Sequence, residues 1–201
     1  MAYSDFTLEA IVEQQQLNLR NKAVLFATVE SIVPSGWLQE TLSLSEDLGL
    51  LSGTEKARSE FIVVPILLEI KRRNPGKFMI FSGKSLDIDQ EKGLNGECDF
   101  ILSKGEANRI VQAPIFSIVE AKKQDIDLGL GQCVAQMMGA TLFNQRKGNT
   151  ILTIYGCVTT ADRWQFISLN QQDLLIDRRV YTYPNELDAI LGVLQFILDQ
   201  A

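Results

Sequence analysis

The segment from Gly96 to Lys122 holds the residues of this chain best suited to chemistry: GECDFILSK, a polar turn, then IFSIVEAKK. Both apolar runs read as strands, with Asp99 on the first and Glu120 and Lys122 on the second. Side chains alternate along a strand, so Glu120 and Lys122 project from one face about 7 Å apart, and pairing of the strands brings Asp99 to them. Asp99 precedes Phe100, Ile101 and Leu102, and Glu120 follows Phe116, Ser117, Ile118 and Val119. Each acid therefore stands at the mouth of an apolar strand. Phe116 and Ile118 are read on the face of Glu120 and Lys122, which makes that face apolar before it becomes charged.

Two carboxylates brought together raise each other's pKa unless a cation lies between them. Oxygen donors without nitrogen or sulfur partners suit Mg²⁺, Mn²⁺ or Ca²⁺ rather than zinc. Lys122 can hold a water beside such an ion and stabilise negative charge developing on a phosphate. Two acids, a lysine and a hard cation together suit phosphodiester hydrolysis. The chain has no histidine among its 201 residues. That removes Ser/His/Asp and Cys/His catalysis, zinc proteases and most transition-metal sites. A general base must then be a carboxylate, lysine, tyrosine or metal-activated water.

The elements that position these residues are legible on both sides. Residues 4–33 read as helical, with Phe6, Leu8, Ile11 and Val12 and then Val24, Leu25, Val29 and Ile32 at helical spacing, ended by PSG at Pro34–Gly36. LQETLSLSEDLGL reads as a short helix and a turn. A better-defined helix starts near Ser52, where Ser52 and Glu55 match a capping box, and stops at NPG (74–76) after Lys71, Arg72 and Arg73. Pro65 is expected to bend it. Its inward stripe reads Ala57, Phe61, Val64, Leu67 and Leu68 and includes Glu60, a carboxylate that then needs a partner or a metal; Glu69 falls off the stripe.

Three strands come next, KFMIFSGKSLDI, GECDFILSK and APIFSIVEAKK, then a helix bounded by Asp127 and Gly148. ILTIYGCVTT and RWQFISL form a hairpin around Ala161 and Asp162, and an amphipathic helix runs from Asn185 to Asp199. This order predicts an α/β fold with a central mixed sheet flanked by helices. The expected organisation is an N-terminal helical addition at 1–50 packed on a domain at 51–201, with the boundary near Pro34–Gly53.

The composition, 46% apolar and 22% charged, supports one sizeable core. No run of 18 apolar residues occurs, and MAYSDFTLEA lacks the pattern of a signal peptide, so a soluble cytoplasmic protein without membrane contact is expected. Cys98, Cys133 and Cys157 lack CxxC spacing and read as reduced, buried thiols. The net charge of −6 argues against strong non-specific nucleic-acid binding by total charge, although a local basic groove remains compatible with it. The basic pairs Arg72–Arg73, Lys122–Lys123, Arg146–Lys147 and Arg178–Arg179 read mostly as helix-end or solvated charge. Trp37, Trp164 and Tyr155 read as core.

Glu60, GECDF with Asp99, VEAKK with Glu120 and Lys122, and Gln132 on the next helix together resemble the PD-(D/E)XK nuclease superfamily over roughly Ser52–Leu169. TEKARSEFIVVPILLEI, GLNGECDFILS, VEAKKQDIDLGLGQCVAQM and YGCVTTADRWQFISL are similar to an uncharacterised family within it. The resemblance implies a restriction endonuclease-like fold and a Mg²⁺-dependent nuclease, with Mn²⁺ as a substitute, DNA as the favoured nucleic acid and 5′-phosphate products. It implies that Asp99, Glu120 and the Ala121 carbonyl bind the metal, that Lys122 positions the attacking water and that Glu60 completes the site, through water or directly. Gln132 would orient water or substrate. Gln136 shares its helix face, and both also fit ordinary helix surface. Cys98 stands where the motif has its proline. A homodimer would place two sites for a double-strand cut. The competing class is a catalytically silent nuclease-fold protein that binds nucleic acid or protein, and a small-molecule enzyme reusing the two carboxylates is a third.

Overall fold

The computed structural model describes residues 1–20, 24–149 and 151–201. Its centre is a seven-stranded mixed sheet in the order β1-β7-β6-β5-β4-β3-β2, flanked by helices. In chain order the elements are a 3-10 turn at Tyr3–Asp5, α1 (Leu8–Gln15), β1 (Asn18–Arg20), α2 (Gly36–Leu51), α3 (Glu55–Arg58), a π-helical turn (Ser59–Val63) and α4 (Val64–Arg73). Then come β2 (Phe78–Ser85), β3 (Glu97–Lys104), β4 (Ile115–Ala121), α5 (Asp127–Arg146), β5 (Thr153–Thr159), β6 (Arg163–Asn170), β7 (Asp173–Thr182) and α6 (Leu187–Asp199). β2, β3 and β4 pair antiparallel, as do β5, β6 and β7. The two antiparallel sets join through the parallel pair β4–β5, whose crossover is α5.

Each face of the sheet carries its own core. On one, Phe100, Val119 and Phe166 meet Ile62, Ile66 and Ile70 from the π turn and α4, Leu38 and Leu42 from α2, and Ile190, Leu194 and Ile197 from α6. On the other, Ile101, Ile118 and Val158 meet Leu130, Val134 and Met137 of α5, with Tyr3, Phe6 and Ile11 beyond it. α5 is thus covered on two sides, which is why most of its residues are buried. A Cβ at Gly131 would lie 2.4 Å from the Phe6 carbonyl oxygen, so the close seat of the N-terminal segment requires glycine there. Among the described residues no helix is long and apolar enough to cross a membrane.

The N-terminal region departs from the helical expectation. Thr7 caps α1 by accepting from the Ala10 amide, and Gln16, at φ 53°, ends the helix after two turns. Asn18–Arg20 then pairs parallel with β7, which makes residues 1–50 contributors to the sheet rather than a purely helical addition. Part of the predicted helix, residues 21–23, lies outside the described residues. Beyond it Phe26 packs edge-on against Phe166 and Phe196, both at 5.7 Å between ring centroids, from a non-helical segment. The stretch expected as a short helix is a full 16-residue helix, capped by Ser35. β7 was not anticipated, because Asp177, Arg178 and Arg179 interrupt the apolar alternation of DLLIDRRVYT.

The helix carrying Glu60 is also corrected. Its cap is Thr54, which accepts from Ala57, instead of Ser52. Pro65 has no amide hydrogen and leaves the carbonyl of Phe61, four residues back, without its helical donor. The Ser45 hydroxyl of α2 donates to that carbonyl at 2.7 Å. The π turn just before Pro65 holds an extra residue per turn and so rotates the succeeding turns by about 100° relative to an ideal helix. The buried stripe therefore runs through Ile62, Val63, Ile66, Leu67, Glu69 and Ile70, while Leu68 and Glu60 face solvent.

Glu69, 1% exposed, accepts from the Ser35 amide and hydroxyl and from Arg73. Burial alone would raise its carboxyl, but the Ser35 and Arg73 hydrogen bonds outweigh this and hold it below the ordinary glutamate value. Its contribution to stability is complete above the unfolded-state value and disappears as the pH falls through the lower folded-state one. Glu69→Gln is expected to cost about 2 kcal/mol at neutral pH. Urea unfolding as a function of pH should show that cost vanish in acid.

Candidate functional site

The β3–β4 ladder ends at Phe100 opposite Val119, one residue short of the two acids. Asp99 and Glu120 are the next positions on each strand, where side chains take over from the backbone pairing. The Asp99 carboxylate accepts the Ala121 amide at 2.7 Å. Glu120 is 1% exposed, and its two oxygens are held separately: Oε1 accepts from Lys122 Nζ at 2.8 Å and Oε2 from Gln136 Nε2 at 2.9 Å. Lys122 Nζ also donates to Gln132 Oε1 at 3.0 Å. β4 stays anchored beneath them by its parallel pairing with β5, continued by the Lys122 amide donating to the Thr159 carbonyl.

α5 shapes the lysine's path. A Cβ at Gly129 would lie 2.6 Å from Val158 and 3.0 Å from Lys122 Cγ, so the absent side chain leaves the channel that the lysine stem occupies. Gln132 and Gln136, one and two turns further, then meet Lys122 and Glu120 in order. The alternative of an ordinary helix surface does not hold for Gln136, which is fully buried, and Gln132 is half-buried.

Two depressions meet over Asp99. One of about 340 Å³ is lined by Tyr3, Glu97, Asp99, Glu120, Lys122 and Gln132, among others. Its neighbour, of about 360 Å³, includes Glu60, Ser82, Gly83, Glu97, Asp99 and Ala121. Glu55 and Glu97 line both, as Asp99 does. Sequence reasoning assigned Glu55 to helix capping and did not single out Glu97, although Glu97 stands two residues before Asp99, the strand period.

The structure thus brings together Asp99, Glu120, Lys122, Gln132 and the Ala121 backbone. It does not bring Glu60 into hydrogen-bonding contact with them. Glu60 lies on the exposed rim of the second depression, 3.7 Å from Lys56, and the neighbouring Arg58 binds Asp162 and the Thr160 carbonyl. Among the described residues no group of three or more His, Cys, Asp or Glu side chains is arranged to hold a metal ion. Phe116 is a further correction. Ser103 pairs with Ile115 but Leu102 with Ser117, so Phe116 is the extra residue of a bulge and turns to the opposite core from Ile118.

Burial dominates the electrostatics. It raises both carboxyls, and the proximity of Asp99 adds to it at Glu120, which is pushed up to about 7. The Ala121 amide and Lys122 partly offset burial at Asp99. Lys122 is itself raised, because Glu120 beside it outweighs its own burial. A lysine with this charge cannot serve as a neutral base near pH 7; it acts as a fixed cation and hydrogen-bond donor. Buried carboxylate oxygens are the donor type that suits a hard divalent cation keeping part of its water shell.

Comparison with known protein families and with curated proteins finds no match for this chain.

The raised Glu120 value has a definite sign. Between the unfolded glutamate value and about 7 the folded protein holds a proton that the unfolded chain has released, so stability falls as pH rises through that window. In metal-free protein, Glu120→Gln removes that dependence. Denaturant titrations from pH 5 to pH 8 should show the variant gaining on the wild type up to about pH 7 and no further above it.

Proposed function

We propose that this protein is a divalent-cation-dependent nuclease with a restriction endonuclease-like arrangement of its α/β core, hydrolysing phosphodiester bonds of nucleic acid, with DNA as the favoured substrate. The observation that carries the reading is the convergence of Asp99, Glu120 and Lys122 at the point where the β3–β4 ladder ends, beside the Ala121 backbone. The order of these groups along the chain, acid on one strand and Glu-x-Lys on the next, and the seven-stranded mixed sheet with its parallel crossover through α5, are consistent with it.

Asp99, Glu120 and the Ala121 carbonyl would hold Mg²⁺ or Mn²⁺. The bound ion would supply acidification of a water and neutralisation of phosphate charge. Lys122, held by Gln132, presents an ammonium that orients the water and donates to a phosphate oxygen as charge accumulates on it. Tyr3, Gln132 and Glu97 wall the depression in which the scissile phosphate would sit. Glu60 acts at most from the rim, through water. The acidic lining makes substrate binding depend on the cation, since Glu55, Glu97, Asp99 and Glu120 would otherwise repel a phosphate.

The test is cleavage of single-stranded, duplex and branched DNA and of RNA in Mg²⁺ or Mn²⁺. Asp99→Ala and Lys122→Ala are each expected to lower the rate by roughly 10² to 10³, and Glu60→Ala by about tenfold or less. Cleavage that persists in both of the first two variants would refute the site. A wild-type protein that cuts none of these substrates, yet binds one of them, would establish the silent binding module instead.

A further inference from the structure

Gln136 stands out among the groups that the proposed reaction does not use. It is 0% exposed in the middle of α5, and its amide nitrogen lies between two acceptors on different strands: Glu120 Oε2 on β4 at 2.9 Å and the Glu97 carbonyl on β3 at 3.4 Å. Acceptors on both sides settle which end of the amide is nitrogen. Its oxygen is buried and has no hydrogen-bond partner among the described residues.

That imbalance argues against a role in packing alone. A buried amide oxygen without a donor is destabilising, and methionine, of nearly the same length and shape, fills such a place without it. What glutamine supplies and methionine does not is an N–H pair aimed at β3 and β4 together. The contact falls where the backbone ladder has already ended, at Phe100 and Val119. Beyond that point two side-chain ties span the strands, the Asp99 carboxylate on the Ala121 amide and the Gln136 amide between Glu120 and Glu97. Lys122 already holds Oε1 of Glu120. The Gln136 bond fixes the other oxygen and with it the carboxylate plane.

We infer that Gln136 is a positioning residue: it sets the orientation of the Glu120 carboxylate and the separation of the two acidic strand ends, and thereby the affinity of the site for a divalent cation. The inference rests on the metal-dependent reading above. Gln132, on the same helix face, accepts from Lys122 and makes no direct contact with Glu120.

The experiment compares wild type, Gln136→Met, Gln136→Asn and Met138→Leu, a packing change on α5 outside the site, by Mn²⁺ binding calorimetry, with thermal unfolding as a check on folding. The Asn variant keeps a buried amide but shortens its reach, so it tests the contact if the Met variant unfolds. Both Gln136 variants are expected to bind Mn²⁺ about tenfold more weakly or worse, while Met138→Leu keeps wild-type affinity. Wild-type Mn²⁺ affinity in a folded Gln136 variant would overturn the inference, as would an affinity lost equally in Met138→Leu. A wild type that binds no Mn²⁺ overturns the metal-dependent reading and the inference that rests on it, whereas Mn²⁺ binding left unchanged in the Gln136 variants overturns the inference alone.

Discussion

The structure around the site depends on where one β-ladder stops. Backbone pairing between β3 and β4 holds to Phe100 and Val119 and then ends, so the last residues of each strand must be tied by other means. An unpaired backbone amide near a core is costly, and here the Asp99 carboxylate takes the Ala121 amide. That substitution turns a strand end into a charged site. A continued ladder would leave Asp99 and Glu120 as a cross-strand pair of like charges, which is destabilising.

The remaining architecture supports that break. Below it, pairing with β5 and the apolar layer of Ile101, Ile118 and Val158 keep β4 rigid. Above it, α5 runs across the strand ends with Gly129, Gln132 and Gln136 facing them, and the N-terminal segment holds α5 down from the far side. The charges are placed where burial makes them unfavourable, as the upward shift of Glu120 records. Lys122 relieves part of this, and a divalent cation would relieve more. With no histidine in the chain, carboxylates, one lysine and two amides must set all the electrostatics of the site.

Much of this was legible in the sequence for a physical reason: β2 to β6 and α5 are bounded by strong turn and cap signals, and Asp99, Glu120 and Lys122 fall at their ends. What was not legible traces to one-residue shifts and short elements. The π turn before Pro65 displaced the helix phase, so the stripe drawn through Ala57 and Val64 put Glu60 inside and Glu69 outside, the reverse of what is found. The bulge at Phe116 did the same on β4. β1 is three residues long and gives no period to detect. Gln136 lies among Cys133, Met137 and Ala140, a surrounding that marks burial more clearly than helix spacing with Gln132 marks surface. Whether a glutamine on such a face meets a carboxylate depends on the tertiary fold.

The central claim is that Asp99 and Glu120 form a hard-cation site at the end of the broken ladder. Anomalous diffraction from crystals soaked in Mn²⁺ tests it most directly. The account predicts a manganese peak within bonding distance of both carboxylates and the Ala121 carbonyl, with Lys122 displaced from Glu120. No peak there, with the Lys122–Glu120 pair intact at a Mn²⁺ concentration that saturates other sites, would contradict it.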